Sequence, residues 1–256
     1  MGGWRQSVDA APPQYVWGNF KDYYSIRNQG EGDPRVPWLR DIVKWKGKKV
    51  LDLGCNSGHI TMAVAAEGAE QTVGVDIDPI LVGEAKQNCQ GYVDQRRVKF
   101  LCRDLLDLKL HRHFDVVLFL STSKWLHLQR GDEGLKEVFR RCKRWLRPGG
   151  LLILEPQPWK AYKKVAEAHD DIEHTWKQIQ LRPSSFVDFL TEDLKFTRTY
   201  KWVAVHHSQQ SFQRTLYFLW KAKRRCSRGI QHLSFASRRL GFCRGRARAV
   251  LWSRKK

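Results

Sequence analysis

Patterns that mark disulfide-rich, zinc-binding or membrane-spanning proteins are missing from this 256-residue sequence. Its six cysteines are dispersed with no C-x-x-C pair, so neither a zinc site nor a disulfide framework is indicated. No apolar run approaches the roughly 20 residues needed to cross a bilayer, and the N-terminus has no apolar signal-peptide core. We therefore expect a soluble intracellular protein with reduced cysteines and no metal site.

Acidic residues are also scarce in this chain. There are 26 Asp and Glu against 46 Lys and Arg, which gives a formal net charge of +20. Such an excess predicts a polyanionic partner, with nucleic acid first and an acidic membrane surface second. Apolar residues make up 42% of the chain and aromatic residues 12%, and the length supports one substantial core. These values predict a folded globular domain.

The dinucleotide pattern G-x-G-x-x-G is absent as well, which disfavours an NAD site. Instead, residues 48–58 read KKVLDLGCNSG, a pattern that predicts a strand, a tight glycine turn and a helix start. Glycines such as Gly54 and Gly58 let a ligand approach the backbone closely, because they have no Cβ, and a helix N-terminus offers unpaired N–H groups. The D-x-G-x-x-x-G form beginning at Asp52 resembles motif I of the AdoMet-dependent methyltransferases.

An acidic residue follows at the end of the next predicted strand. Asp76 lies 22 residues after Gly54, which is close to the spacing at which a Rossmann unit holds ribose hydroxyls. Asp78 is the alternative ribose ligand. The spacing therefore supports a nucleotide-containing cofactor.

From residue 48 onward, predicted strands and helices alternate, which indicates a mostly parallel, doubly wound α/β sheet. Two β-rich runs at 196–205 and 215–220 are expected to close this sheet as an antiparallel pair. Together with the resemblance to motif I, this arrangement implies a class I, Rossmann-like AdoMet-dependent methyltransferase fold. The other predicted strands are 49–53, 71–76, 98–101, 114–120 and 151–155; the predicted helices are 59–67, 79–90, 133–146, one or two within 160–181, and 183–190.

The chain divides into three regions by composition. Residues 1–14 lack periodicity and are expected to be disordered. Residues 15–222 form the methyltransferase domain, whose first segment, YVWGNFKDYYSIR at 15–27, is either a flap packed on the core or a lid over the ligands. Residues 223–256 form a basic tail that is disordered or folds on RNA, and it is equally compatible with nuclear targeting.

Ligands of such sheets bind outside the carboxyl ends of the strands. Asp104, at one such end, is assigned to the adenine side of the cofactor or, alternatively, to capping a turn. The residues expected to line one crevice are Gly54, Asp76, Asp104, Leu120 with Ser121, and Glu155 with Pro156.

Two segments carry groups that suit a phosphate acceptor. In the predicted loop 121–128, Lys124 and His127 are three residues apart and would share one face of a short helical turn. A cation and an imidazole can neutralise and hydrogen-bond a phosphate; the alternative is a surface lysine and a core-edge histidine. After the fifth strand, two prolines would hold Glu155 and Gln157 rigidly; the alternative is a stiff turn anchored by Trp159.

Several motifs together resemble the bicoid-interacting RNA methyltransferase family, in its 7SK RNA methylphosphate capping type. The resemblance covers about residues 15 to 222. It implies transfer of methyl from S-adenosyl-L-methionine to the γ-phosphate of a small non-coding RNA, such as a small nuclear RNA, in the nucleus or alternatively the cytoplasm. The motifs are GNFKDYYSIR at 18–27, VLDLGCNSGHIT at 50–61, VGVDID at 73–78, FDVVLFLSTSKWLHLQRGDEGL at 114–135, LRPGGLLILEPQPWKAY at 146–162 and SFQRTLYFLWKA at 211–222.

The resemblance also implies roles for individual residues. The residues that it places around the cofactor are Tyr24, Arg35, Gly54, Cys55, Asn56, Asp76, Ile77, Asp104, Leu105 and Leu120. Those that it places around the acceptor phosphate are Lys124, His127, Glu155 and Gln157, with Tyr23 and Tyr24.

Other functions remain open from the sequence. One is an RNA-binding ribonucleoprotein subunit that stabilises a small RNA, with secondary or lost catalysis. Another is a methyltransferase specific for a 5′-monophosphate. A protein or small-molecule methyltransferase is disfavoured by the charge and by the lack of an Asn/Asp-Pro-Pro-Tyr motif. We expect a structured RNA partner and ribonucleoprotein proteins, with no membrane or DNA partner.

Overall fold

The computed structural model describes residues 33, 35–91, 94–111, 113–204 and 214–223. The predictions for 1–14, for the aromatic segment with Tyr23 and Tyr24, and for the tail beyond 223 lie outside these residues. The chain forms two compact units, 1–109 and 110–256.

The first unit contains three parallel strands. β1 (Lys49–Leu53) and β3 (Val98–Cys102) pair on either side of β2 (Gln71–Asp76). β1 and β2 are almost entirely buried, as expected for apolar runs in a parallel sheet. Its described helices are α1 (Arg35–Ile42), α2 (His59–Ala66) and α3 (Pro79–Asn88), with a 3-10 turn at Gln95–Arg97.

Two glycines of this unit make room for the ring of Phe100. A Cβ at Gly58 would lie 2.8 Å from that ring, and a Cβ at Gly74 would lie 2.8 Å from it and 2.9 Å from Cys55 Sγ. Gly58 also has a φ of 84°, in the left-handed region that glycine adopts without steric cost. The glycine turn, β2 and β3 can therefore pack closely.

The second unit contains four described strands. β4 (Phe114–Leu120) and β5 (Leu146–Glu155) pair in parallel, whereas β7 (Arg214–Lys221) is antiparallel to both β5 and β6 (Phe196–Ala204). The predicted antiparallel C-terminal pair is thus confirmed. The described helices are α4 (Ser123–Trp145), α5 (Trp159–Ala166), α6 (Asp170–Gln178) and α7 (Phe186–Asp188), with a 3-10 turn at Pro183–Ser185 and a π-helical turn at Phe189–Asp193.

Three features differ from the sequence-based expectations. The predicted loop 121–128 is helical from Ser123 onward, and α4 is interrupted at Gly131, where φ is 62° and ψ is −170°. β5 begins at Leu146 rather than at 151, because the strand includes an irregular pairing segment after Leu146. α1 was not predicted, since it is short and has a proline in its first turn. None of the helices in the described residues has the length and hydropathy to span a bilayer.

Candidate active site

The glycine turn after β1 has the open backbone that its sequence predicts. Gly54, Asn56 and Gly58 have φ values of 76°, 51° and 84°, so three residues of the turn are left-handed. The N–H groups of Gly54 and Cys55 both donate to the carbonyl of Val75, at 2.8 and 3.0 Å. These bonds fix the turn to the end of β2, and α2 begins directly after it.

The carboxylate of Asp76 is held against this turn. Its Oδ2 accepts from the N–H of Asn56 at 2.8 Å, and its Oδ1 accepts from the N–H of Asp78 at 3.1 Å. Burial raises the pKa of Asp76, although these N–H groups oppose the rise. The alternative ligand, Asp78, caps α3 by accepting from the N–H groups of Ile80 and Leu81. Both carboxylates therefore have backbone partners, and the assignment of the ribose to Asp76 rather than Asp78 stays a prediction.

A second buried carboxyl group belongs to Asp52 in β1. Its Oδ2 accepts from Thr61 Oγ1 at 2.7 Å. Burial raises the pKa of Asp52 from 3.8 to about 6, against the opposing effects of the Thr61 hydroxyl and the charge of Arg35. Arg35 is itself buried, and its Nη2 lies 2.6 Å from Asp33 Oδ2. Arg35 thus forms an internal ion pair, and its predicted contact with a cofactor stays a prediction.

The other predicted cofactor residues are placed as follows. Asp104 Oδ1 accepts from the N–H of Leu106 at 2.8 Å, which is the turn-capping geometry considered above as the alternative to an adenine contact. Ile77 is partly buried, and its carbonyl accepts from the Cys102 thiol at 3.5 Å. The side chains of Cys55, Leu105 and, in the second unit, Leu120 are buried.

In the second unit, a group of hydrogen bonds joins the carboxyl ends of β4 and β5. The N–H of Ser121 donates to the carbonyl of Glu155 at 3.0 Å, and its hydroxyl donates to Glu155 Oε2 at 2.9 Å. Gln157 donates from Nε2 to the Ser121 carbonyl and accepts at Oε1 from the N–H of Lys124 at 3.4 Å. Ser121 has a φ of 57°, a strained value for a residue with a Cβ. Gln157 therefore braces the turn that leads to Lys124.

Lys124 lies in the first turn of α4 and is not a surface lysine. Lys124 is 8% exposed, and its Nζ is 4.1 Å from the centroid of the Trp125 ring, a cation–π distance. The N-terminus of a helix carries a partial positive charge that favours anions. A nearly buried ammonium group at such a position is suited to neutralising an anion.

His127, one turn further along α4, is completely buried. Its Nε2 lies 2.7 Å from Asp132 Oδ1, and its Nδ1 lies 3.4 Å from the hydroxyl of Tyr162. Burial lowers the pKa of His127 despite the neighbouring carboxylate. Both ring nitrogens therefore have partners inside the second unit.

Trp159, at the start of α5, anchors the segment that follows β5. It stacks on Tyr162 at a centroid distance of 5.1 Å and on Trp176 of α6 at 5.6 Å. The guanidinium carbon of Arg182 lies 3.7 Å from the centroid of the Trp159 ring. These contacts fit the anchoring role considered for Trp159. Glu155 and Gln157 do not take part in this stack, because their side chains hydrogen-bond to the β4–α4 turn.

Sequence reasoning missed three polar residues of these sites: Asp33, Asp132 and Tyr162. The G-D pair at 131–132, directly before the predicted helix 133–146, was the available signal for Asp132, since such pairs mark a turn or break in the chain. The described residues contain no group of three or more His, Cys, Asp or Glu that could hold a metal ion.

Comparisons with known proteins identify the family of this chain. Residues 114–221 match the family model of Bicoid-interacting protein 3 (Bin3), and residues 50–150 match a methyltransferase domain model. The U6 snRNA methylphosphate capping enzyme Amus of Drosophila melanogaster is 32% identical, over 81% of this chain and 75% of that protein. The chain belongs to the Bin3 family.

Other relatives extend the comparison. The 7SK snRNA methylphosphate capping enzyme of Homo sapiens is 34% identical over 82% of this chain, which spans 40% of that protein. The RNA 5′-monophosphate methyltransferase of Homo sapiens is 29% identical over 56% of this Bin3-family chain and 59% of that protein. Among solved structures, the N-methyltransferase NodS from Bradyrhizobium japonicum has a TM-score of 0.54 at 13% identity, over 74% of this chain and 95% of that one. This likeness confirms the predicted class I, Rossmann-like methyltransferase fold.

Proposed function

We propose that this chain transfers the methyl group of S-adenosyl-L-methionine to a γ-phosphate oxygen at the 5′ end of a small structured RNA. The observation that carries the proposal is the nearly buried Lys124, held at the start of α4 by the brace between Ser121 and Gln157. The relatives named as snRNA methylphosphate capping enzymes support the choice of a phosphate acceptor.

Groups of the first unit support binding of this cofactor. The left-handed glycine turn would admit the cofactor close to the backbone, and Asp76 would bind its ribose. The predicted apolar contacts of Ile77 and Leu105 and the adenine-side role of Asp104 complete the part of this assignment that belongs to the first unit, and the contact of Leu120 stays a prediction. When bound, AdoMet supplies an electrophilic methyl group on a positively charged sulfur.

The acceptor chemistry requires charge neutralisation more than proton removal. A phosphate oxygen is already anionic at neutral pH, so its attack on the methyl group needs no strong base. Catalysis then depends on orientation and on stabilising the remaining phosphate charge. Lys124 neutralises that charge, Glu155 and Gln157 fix the β4–α4 turn, and His127 supports the first turn of α4 from inside the unit. Tyr23 stays a proposed acceptor contact.

Positive charge close to the acceptor segment suits an RNA substrate. α5 begins directly after the Glu155–Gln157 segment, and its Lys160, Lys163 and Lys164 are exposed. Contacts of this kind with phosphates give affinity without sequence preference. Together with the +20 net charge, they support binding of a small nuclear RNA, and a nuclear location follows from that substrate.

The test is a methyl-transfer assay with radiolabelled AdoMet and one hairpin RNA that carries a 5′ triphosphate, monophosphate or hydroxyl. We expect label on the triphosphate RNA, and a 5′ pyrophosphohydrolase should release it. Lys124→Met should lower kcat/KM at least a hundredfold while AdoMet still binds. Lys86→Met, at an exposed lysine of α3, is the matched control. Label that stays on the RNA after pyrophosphohydrolase treatment would contradict methylation of the γ-phosphate.

Two alternatives are separated by the same assay. Preference for the monophosphate RNA would place the chain with the 5′-monophosphate methyltransferases. The comparisons favour the triphosphate, because the capping enzymes are 32% and 34% identical over 81% and 82% of this chain, whereas the monophosphate enzymes are 29–31% identical over 45–62% of it. No label on any RNA, with AdoMet and RNA both bound, would instead support a ribonucleoprotein subunit that stabilises RNA.

A further inference from the structure

We propose that Asp132 is a positioning residue for the proposed methyl transfer: it holds His127 in a single tautomer and thereby fixes the first turn of α4, which carries Lys124. This inference rests on the proposed function, because it assigns Lys124 to the acceptor phosphate. Its basis is a chain of hydrogen bonds that runs from the partly exposed Asp132 through the buried His127 to the buried Tyr162, which the sequence motifs did not reveal.

Asp132 is anchored on both sides of its carboxylate. Oδ1 lies 2.7 Å from His127 Nε2, while Oδ2 accepts from the N–H groups of Gln180 and Leu181 at 3.1 and 3.0 Å. The carboxylate therefore ties α4 to the backbone segment that follows α6. This segment leads to Arg182, whose guanidinium covers Trp159.

The backbone break at Gly131 makes the contact between Asp132 and His127 attainable. The two residues are five apart, and in a regular helix positions three or four apart share a face. Gly131, with φ 62° and ψ −170°, adopts a conformation that is essentially restricted to glycine. The break lets the chain redirect the carboxylate back to the imidazole.

The protonation states follow from the surroundings. Burial would raise the pKa of Asp132, but the bonds from His127 and from the N–H groups of Leu181 and Gln180 hold it below its usual value. An ionised carboxylate can only accept, so we assign the proton of neutral His127 to Nε2. Its Nδ1 then accepts from Tyr162, whose pKa is raised by burial, so that its hydroxyl stays protonated.

This arrangement explains how a buried imidazole can influence the acceptor. His127 is one helical turn after Lys124, and its ring also packs against Tyr162 and Phe186, at centroid distances of 5.6 and 5.7 Å. A ring fixed at both nitrogens leaves the first turn of α4 little freedom. Small displacements of a reacting group lower the rate strongly, since catalysis depends on a near-attack geometry.

The main test uses Asp132→Asn in the full chain. The side-chain oxygen of Asn can accept from the two backbone N–H groups. Its NH₂ group then faces His127 Nε2 and donates to it, so the ring proton must move to Nδ1. We expect kcat on triphosphate RNA to fall at least tenfold, whereas the Kd for AdoMet changes less than twofold. Glu133→Gln is the control, because Glu133 is adjacent and exposed and pairs with Lys136 and Arg140 on the surface.

A second measurement tests the inference on the unmodified chain alone, even if the variant does not fold. Nitrogen-15 NMR of the His127 ring at pH 7.5 should show a protonated Nε2 and an unprotonated Nδ1, and Asp132→Asn should reverse this pattern. A wild-type ring protonated at Nδ1, or at both nitrogens, would overturn the inference. An unchanged kcat in Asp132→Asn would overturn it as well, provided that the wild-type chain methylates RNA.

The failure of the proposed function gives a different result. In that case the wild-type chain labels no RNA, and the positioning role fails with it, while the NMR pattern still reports whether the hydrogen-bond chain exists. If the wild-type chain is active and only the Asp132→Asn result is contrary, the positioning inference fails alone.

Discussion

The buried carboxyl group of Asp52 leads to a prediction about stability and pH. Its pKa is about 6 in the folded chain against an ordinary 3.8, and burial is the main cause. Because the folded state resists ionisation, the free energy of unfolding is unaffected well below pH 3.8 and falls as the pH rises through 3.8 to 6. A difference of 2.2 pKa units, from 3.8 to about 6, corresponds to a loss of about 3 kcal/mol when complete.

Asp52→Asn removes this titration and keeps an oxygen for the Thr61 hydroxyl. We would measure urea unfolding of both chains at pH 5 and pH 7.5 without AdoMet. Linkage predicts that the wild-type chain loses about 1.4 kcal/mol more than Asp52→Asn between these pH values. Asp41→Asn, at an exposed position of α1, should behave as the wild type does. Parallel pH dependences for wild type and Asp52→Asn would refute the reasoning.

Three further predictions concern packing, cofactor and RNA. Gly74→Ala, whose Cβ would lie 2.8 Å from a buried ring, should lower the free energy of unfolding in urea by about 1–3 kcal/mol; Gly83→Ala, where a Cβ meets nothing within 4 Å, is the control. Asp76→Asn should weaken AdoMet binding in calorimetry by roughly tenfold to a hundredfold and leave RNA binding intact; equal affinity would exclude the ribose contact. Lys160→Glu with Lys164→Glu should reduce the slope of log K for RNA against log salt by about 1–2; an unchanged slope would place the RNA elsewhere.

Most strands could be predicted because their apolar runs end at clear breakers. β1 and β2 match their predicted bounds, since each ends directly before a turn. The prediction of a loop at 121–128 was wrong, because this segment mixes polar and aromatic side chains. Its helical structure depends on packing against partners in β5 and α5. The local pattern does not contain those partners.

The candidate site likewise contains residues that could be predicted from the sequence and residues that could not. The glycine turn and Asp76 could be found from spacing, because the strand–turn–helix unit sets their separation in sequence. The role of Asp132 could not, since its backbone partners are 48 and 49 positions away along the chain. Lys124 was proposed from its residue type and its spacing to His127, but its burial and its bond to Gln157 depend on how β4 and β5 end.

The second unit has both a nearly buried lysine and exposed lysines, and we expect them to affect different steps: the buried one methyl transfer, the exposed ones RNA binding. Lys124 is 8% exposed, and salt screens buried charges much less than exposed ones. Lys160 and Lys164 are exposed on α5, where screening is strong and release of counterions dominates RNA affinity. Added salt should therefore raise KM for RNA steeply and change kcat little. A parallel fall in kcat would mean that the ammonium group of Lys124 reaches solvent during the reaction, which the brace from Gln157 opposes.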